Sequence, residues 1–267
     1  MMRRISLTTD FSAEGEEAFY TALALAVAYR ARLEILHVSR PGHRAEWDNF
    51  PRVRDVLTRW GLLPPGAAQE EVYDRLGVEI GKIEIYSHDA AAGISEFVVK
   101  HGPDLLVAAS HGRTGLNWWL AGSVALETLR RTALPTLLIG PSAKPFVNAE
   151  TGAITLSRVL FPVAVSPSPG VAAASLSDLM GEETVSPHYV HVAETAQSFD
   201  TVQAAMPGVE RLEGDVVPAI LAAAARIDAD MIVMPTAGHQ GFMDALRGST
   251  TQRVLHEASC PVLALPA

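Results

Sequence analysis

The feature that most constrains this chain is that it is written twice. Ile83 to Ile139 aligns without a gap to Val209 to Leu265 at an offset of 126. That alignment superimposes Asp89 on Asp215, Ile94 on Ile220, Gly112 on Gly238, Gly115 on Gly241, Gly122 on Gly248, Ser123 on Ser249 and Pro135 on Pro261. A second block, "RISLTTDFS" against "RVLFPVAVS", matches at an offset of 154, which also pairs His37-Val38 with His191-Val192. The two offsets differ by 28 residues, so the first copy carries that surplus after Val38 and before Ile83. A period of this length marks a tandem duplication, and whatever one copy folds into, the other must fold into as well.

Each copy alternates short apolar runs with stretches of helical spacing, the pattern of βαβ units around a parallel sheet. In the first copy strands are expected near 4–9, 32–38, 82–87, 104–109 and 135–140, and in the second near 158–164, 187–192, 208–213, 230–235 and 261–266. "GEEAFYTALALAVAYR", "AAAGISEFVVKHG" and "SVALETLRRTA" have apolar residues at helical spacing between the strands of the first copy. The surplus reads as extra helix over about 40–78. It contains the amphipathic "WDNFPRVRDVLTRW", which suits either a partner or a cover for its own sheet. Turn-rich "PSAKPFVNAETGAITLSR" separates the copies. The expected organisation is therefore an α/β domain over 1–142, a linker over 143–156 and a shorter α/β domain over 157–267.

With 267 residues, 48% of them hydrophobic, the chain can form two well-cored domains, and it has no apolar run of membrane-spanning length. "MMRRISLTTD" lacks the apolar core of a signal peptide, so a cytoplasmic protein is expected. A net charge of −9 disfavours nucleic acid and anionic membranes as partners. One cysteine, Cys260, leaves no internal disulfide and no cysteine-cluster metal site; it is expected to be buried and inert, and no metal site is expected elsewhere.

In open α/β sheets ligands bind beyond the carboxyl ends of the strands, where the strand order reverses. Two turns fit, "TTDFS" after the first strand and "AASHGRTGLNWWLAGS" after the fourth. Gly112 allows close backbone approach. Gly122 and Ser123 then open a helix whose free amides and positive dipole end favour an anion such as phosphate. Asp10, being acidic, suits accepting hydrogen bonds from a base or ribose. Together the turns look like a nucleotide clamp, although Ser123 and Ser249 also suit plain helix caps and Asp10 a plain turn.

"AASHGRTGLNWWLAGSV", following "DLLVA" and preceding "LRRTALPTLLIG", resembles the signature of the universal stress protein family, whose ATP-binding members place nine residues between a glycine and a Gly-Ser or Gly-Thr pair. Gly112 and Gly122-Ser123 keep that count, as do Gly238 and Gly248-Ser249. The resemblance covers nearly the whole chain and implies the tandem type. Two five-stranded parallel sheets of order 3-2-1-4-5, like those of adenine nucleotide alpha hydrolases, would pack as an intramolecular pseudo-dimer with the fifth strands edge to edge. It further implies an adenosine pocket of Thr8, Thr9, Asp10 and Val38, with Ala109, Gly112, Gly122, Ser123 and Val124 around ribose and phosphates. The ligand would be ATP or a related adenine nucleotide, with or without Mg2+. The chain would report stress or energy status to a protein partner, and a further homodimer is compatible with this reading.

Departures from the signature fall mostly in the second copy. Its first glycine is Ala109 in copy one and Pro235 in copy two, and Ala164 stands where copy one has Asp10. Pro235 removes a backbone donor and fixes φ. The second site, Gly238, Gly248, Ser249 and Thr250, is therefore expected to bind weakly or not at all. A structural scaffold with degenerate sites and a slow ATP hydrolase are the competing readings. The chain has no GxxxxGK[ST] loop, no G-x-S-x-G elbow and no H-E-x-x-H, and its first glycine loop has Arg113 as sole cation, so efficient turnover and catalytic residues are not expected. His111 has Ala237 as its counterpart and reads as a loop histidine, while His37 and His191 read as core or pocket-rim residues.

Overall fold

A computed structural model of the chain describes residues 2–109, 124–140, 142–181, 185–236 and 250–266. Contacts divide it into two compact units, one of Met2–Thr132 with Val147–Thr155, the other of Ala133–Phe146 with Leu156–Ala267.

Runs such as "LLVAA", "VLFP" and "VLALP" have no polar face, which suits parallel strands covered by helices on both sides. In the first unit β1 (Arg4–Thr8) is followed by α1 (Ala13–Tyr29), β2 (Arg32–Ser39), α2 (Val53–Arg59), α3 (Glu70–Leu76), β3 (Ile80–Tyr86), α4 (Ala90–His101), β4 (Leu105–Ala109) and α5 (Val124–Thr132). All strand pairs are parallel and run in the order β3-β2-β1-β4. Ile5, Leu7, Leu33 and Ile35 are fully buried at the centre, each side chain contributing on the order of 1.5–3 kcal/mol.

The second unit opens with β5 (Thr136–Ile139) and continues with β6 (Val159–Pro162), α6 (Pro169–Met180), β7 (Pro187–Val192), α7 (Ala196–Ala205), β8 (Glu210–Leu212), α8 (Val216–Arg226), β9 (Met231–Thr236), α9 (Thr250–Glu257) and β10 (Val262–Pro266). Its order is β5-β10-β9-β6-β7-β8, parallel except for the antiparallel pair β5–β10, where Val262 faces Leu138 and Ala264 faces Thr136. The expected pairing of the two final strands is thus present. It draws β5, buried along its whole length, into the unit built from the second copy.

The duplication extends to single hydrogen bonds. Thr9 N donates to Leu36 O at 2.9 Å, and its counterpart Val163 N donates to Val190 O at 2.8 Å. Asp104 accepts from the amides of Arg3 and Arg4 at 2.7 and 2.9 Å, as Asp230 does from those of Ser157 and Arg158 at 3.0 and 2.8 Å. In each copy one carboxylate ties the start of the fourth strand to the start of the first, at the end of the sheet away from the candidate site.

The 28-residue surplus covers its own unit. Phe50 packs edge-on against Phe19 of α1 at 4.8 Å, and Leu57, Trp60, Leu63 and Val72 are buried. Residues 147–155 fold onto it: Trp60 Nε1 donates to Ala149 O at 2.9 Å, and Val147 bridges to Ile154. Cys260, just before β10, is buried, and desolvation, with Asp230 and Asp228 adding to it, pushes its thiol up to about 12. The folded protein should therefore leave a thiol reagent such as dithionitrobenzoate unreacted and release one equivalent only on denaturation. Rapid labelling under native conditions would contradict this burial.

Candidate nucleotide site and its second copy

The turn after β1 is shaped by its own side chains. Thr9 Oγ1 accepts from Phe11 N at 3.1 Å. Asp10 Oδ1 accepts from the amide of Ser12 at 3.0 Å and from its hydroxyl at 2.5 Å, while Ser12 Oγ caps α1 by accepting from Gly15 N at 3.2 Å. Gly15 lets the helix start so close to the turn, because a Cβ there would lie 3.2 Å from Thr9 Oγ1. Asp10 is therefore a turn-forming residue in fact, whatever else it does.

Phe11 adopts a left-handed φ of 62°, uncommon for a residue with a ring, and this points its side chain at β2. The ring stacks on His37 with centroids 4.2 Å apart and planes at 28°. Trp47 and Phe50, both from the surplus segment, meet Phe11 edge-on at 5.2 and 6.0 Å. Lys82 Nζ lies 5.1 Å from the Trp47 ring centroid and 5.3 Å from that of Phe50. Burial lowers the Lys82 pKa against the opposing pull of Asp48, with Arg52 adding to the lowering. His37 Nδ1 sits 2.8 Å from Thr9 O. Since a carbonyl only accepts, Nδ1 carries the proton, which fixes the ring's tautomer in its neutral form.

Register brings the expected residues of the first copy together. Thr8 pairs with Leu36 and with Ala108, and Val38 pairs with Ile85, so Thr8, Val38 and Ala109 stand at the carboxyl ends of three adjacent strands, β1, β2 and β4. Thr9 and Asp10 follow directly, and Val124, exposed, opens α5. Gly112, Gly122 and Ser123 lie outside the described residues, as do His111, Gly238, Gly248 and Ser249. The sequence reading missed the ring cluster: Phe11 sat inside a turn taken for its aspartate, and Trp47 and Phe50 lie in a segment without a counterpart in copy two.

The second copy keeps the frame and changes the filling. His191 Nδ1 donates to Val163 O at 2.8 Å, as His37 does to Thr9. Val165 replaces Phe11 and is 48% exposed, so no ring covers the His191 face from that position. A cavity of about 650 Å3 opens there, lined among others by Ala164, His191, Met234, Pro235, Thr236 and Thr250.

With the geometry established, comparison with known proteins decides the family. The model of the universal stress protein family matches residues 1–140 and again residues 158–266. The chain belongs to the universal stress protein family. Two solved structures are similar to this universal stress protein over nearly its whole length. One, a universal stress protein from Archaeoglobus fulgidus DSM 4304, is 18% identical with a TM-score of 0.65, covering 98% of this chain and 96% of that one. The other, a functionally unknown protein from Pseudomonas aeruginosa PAO1, is also 18% identical with a TM-score of 0.65, covering 99% and 92%. At these identities the likeness is one of fold. Among curated proteins no match is found. Among the described residues of this universal stress protein, no helix is long and apolar enough to cross a membrane.

Proposed function

We propose that this universal stress protein binds ATP or a related adenine nucleotide in its first copy and reports energy or stress status to a protein partner. The observation that carries the reading is the convergence of Thr8, Val38 and Ala109 on the carboxyl ends of β1, β2 and β4. β1 lies between β2 and β4, so the strand order reverses there, the place where open α/β sheets take ligands. Asp10 next to it supplies an acceptor for ribose or base, and the family signature around Gly112, Gly122 and Ser123 supplies the expected phosphate turn. ATP is the ligand of choice, with Mg2+ as companion ion; binding without efficient turnover follows from the absence of a catalytic motif in the sequence.

The scaffold reading has one observation in its favour: Phe11 covers the face of His37. The two are separated by the adenine nucleotide released from freshly purified, denatured protein, and by calorimetry with ATP in Mg2+ and in EDTA. About one nucleotide per chain, or calorimetric binding, is expected; neither would hand the site to the scaffold. Asp10→Asn keeps the turn, because an asparagine oxygen still accepts from Ser12, and removes only the charge. It should weaken ATP about tenfold or more, the scale of a charged hydrogen bond. Unchanged affinity would reduce Asp10 to its turn.

A further inference from the structure

The repeat ends its two sheets differently. β8, the outer strand of the second unit, is three residues long, and Pro207 and Gly208 stand before it where the first copy has Gly81 and Lys82. A short strand behind a proline is a common way to blunt an exposed edge. β3, the outer strand of the first unit, runs for seven residues, Ile80–Tyr86, in unbroken register with β2.

The backbone groups on the outer side of β3 can be named. Leu33 N donates to Glu79 O at 2.8 Å and Ser87 N donates to Ser39 O at 3.0 Å, so the odd-numbered residues of β3 turn their N–H and C=O towards β2. Ile80, Lys82, Glu84 and Tyr86 turn theirs outward, where no other strand of the described residues pairs with them. Their side chains share one face of the sheet, while Gly81, Ile83 and Ile85 share the other. Tyr86 is 59% exposed, so the end of this edge offers a ring as well as backbone.

Paired with itself in antiparallel fashion, this edge has three registers that oppose outward residues, centred on Lys82, Ile83 or Glu84. The first sets Lys82 against Lys82 and the last sets Glu84 against Glu84; like charges directly opposite are unfavourable. Centring on Ile83 makes the strand self-complementary. Lys82 then faces Glu84 on both sides of the axis, Ile80 faces Tyr86 and Ile83 faces itself. Within its own chain Glu84 accepts from neutral donors, Ser39 Oγ at 2.6 Å and Ala45 N at 2.9 Å, and Lys82 lies over the Trp47 and Phe50 rings. The pairing gives each a counterion. Gly81 fits the same register. A Cβ there would meet nothing within 4 Å and its φ is not left-handed, so its own chain does not require a glycine. Opposite Ile85 of a second chain it stands in a closely spaced pair, the setting in which a strand glycine admits another backbone.

We infer that two chains associate through β3 as an antiparallel pair with Ile83 on the two-fold axis. The occupant of the edge is a second copy of this chain because the Lys82–Glu84 pattern complements itself in one register and repels itself in the two beside it. Such an interface is isologous, every contact being made twice. It needs no nucleotide and stands or falls apart from the function proposed above.

The test follows the mass of the full-length chain by analytical ultracentrifugation over a dilution series at micromolar concentrations. The wild type is expected to dimerise. Lys82→Glu sets glutamate against glutamate, Glu84→Lys sets lysine against lysine, and each should weaken the dimer about tenfold or more. An equimolar mixture of the two variants restores both opposite-charge pairs and should recover a mixed dimer, which a general loss of folding could not do. Because Glu84 also holds Ser39 and Ala45, Lys82→Pro takes over should Glu84→Lys fail to fold. It removes an outward N–H and none that pairs with β2, and it should leave a folded monomer. A monomeric wild type, a dimer indifferent to Lys82→Glu or Lys82→Pro, or folded charge variants that stay monomeric when mixed would each overturn the inference.

Discussion

Gly152→Ala is expected to lower the unfolding free energy by about 2–4 kcal/mol, although the residue lies in the sequence between the two copies and in no helix or strand. Two costs combine. Gly152 has φ of +70°, a region where a Cβ costs on the order of 1–2 kcal/mol. That same Cβ would lie 2.5 Å from two ring carbons of Trp60, far inside contact distance. Trp60 cannot swing away without giving up its hydrogen bond to Ala149 O and its buried position. Chemical denaturation should show the loss as a lower midpoint with an unchanged slope. A change below about 0.5 kcal/mol, the range of an ordinary surface substitution, would mean that 147–155 is not held on the surplus segment at all.

Asp230→Asn should cost about 1–3 kcal/mol at neutral pH, and the cost should disappear in acid. Burial alone would raise the Asp230 pKa. The Arg158 guanidinium, the amides of Ser157 and Arg158 and the Ser157 hydroxyl outweigh it and hold the carboxyl down at about 2. In the unfolded chain the same group titrates near an ordinary aspartate value of about 3.9. The stabilisation is therefore complete above about pH 4 and is lost as pH falls towards 2. Stability curves of the wild type and the variant should converge across that window. Curves that stay parallel down to pH 2 would show that the carboxylate charge contributes nothing at this junction.

The strands were legible because each is a short apolar run and because every run occurs twice. Expected spans such as 32–38 and 187–192 agree with β2 and β7 to within a residue. The role of β5 was less legible: "TLLI" reads the same whichever compact unit encloses it, and only its contacts decide. At the site, sequence spacing identified strand ends and glycines but gave no sign of Phe11, since a left-handed φ at a non-glycine residue leaves no mark in composition. Trp47 was hidden for a related reason. It lies in a segment that the repeat does not cover, so no counterpart pointed to it. Asp104 and Asp230 fall at matching places in the two copies, at the head of the expected strands 104–109 and 230–235, where a carboxylate has no evident role in the sequence. Their amide contacts appear only once two strands are brought side by side.

The antiparallel β5–β10 pair also bears on how the protein is made. Thr136–Ile139 is translated more than a hundred residues before its partner, Val262–Pro266. In the interval the edge of β5 that β10 will take has unpaired backbone groups, a template for another nascent chain as much as for the last strand of its own second copy. A ribosome that stalls in the second copy would therefore release a fragment with a sticky edge, and swapped dimers joined through residues 136–139 are the misassembly to look for in truncated or slowly translated forms.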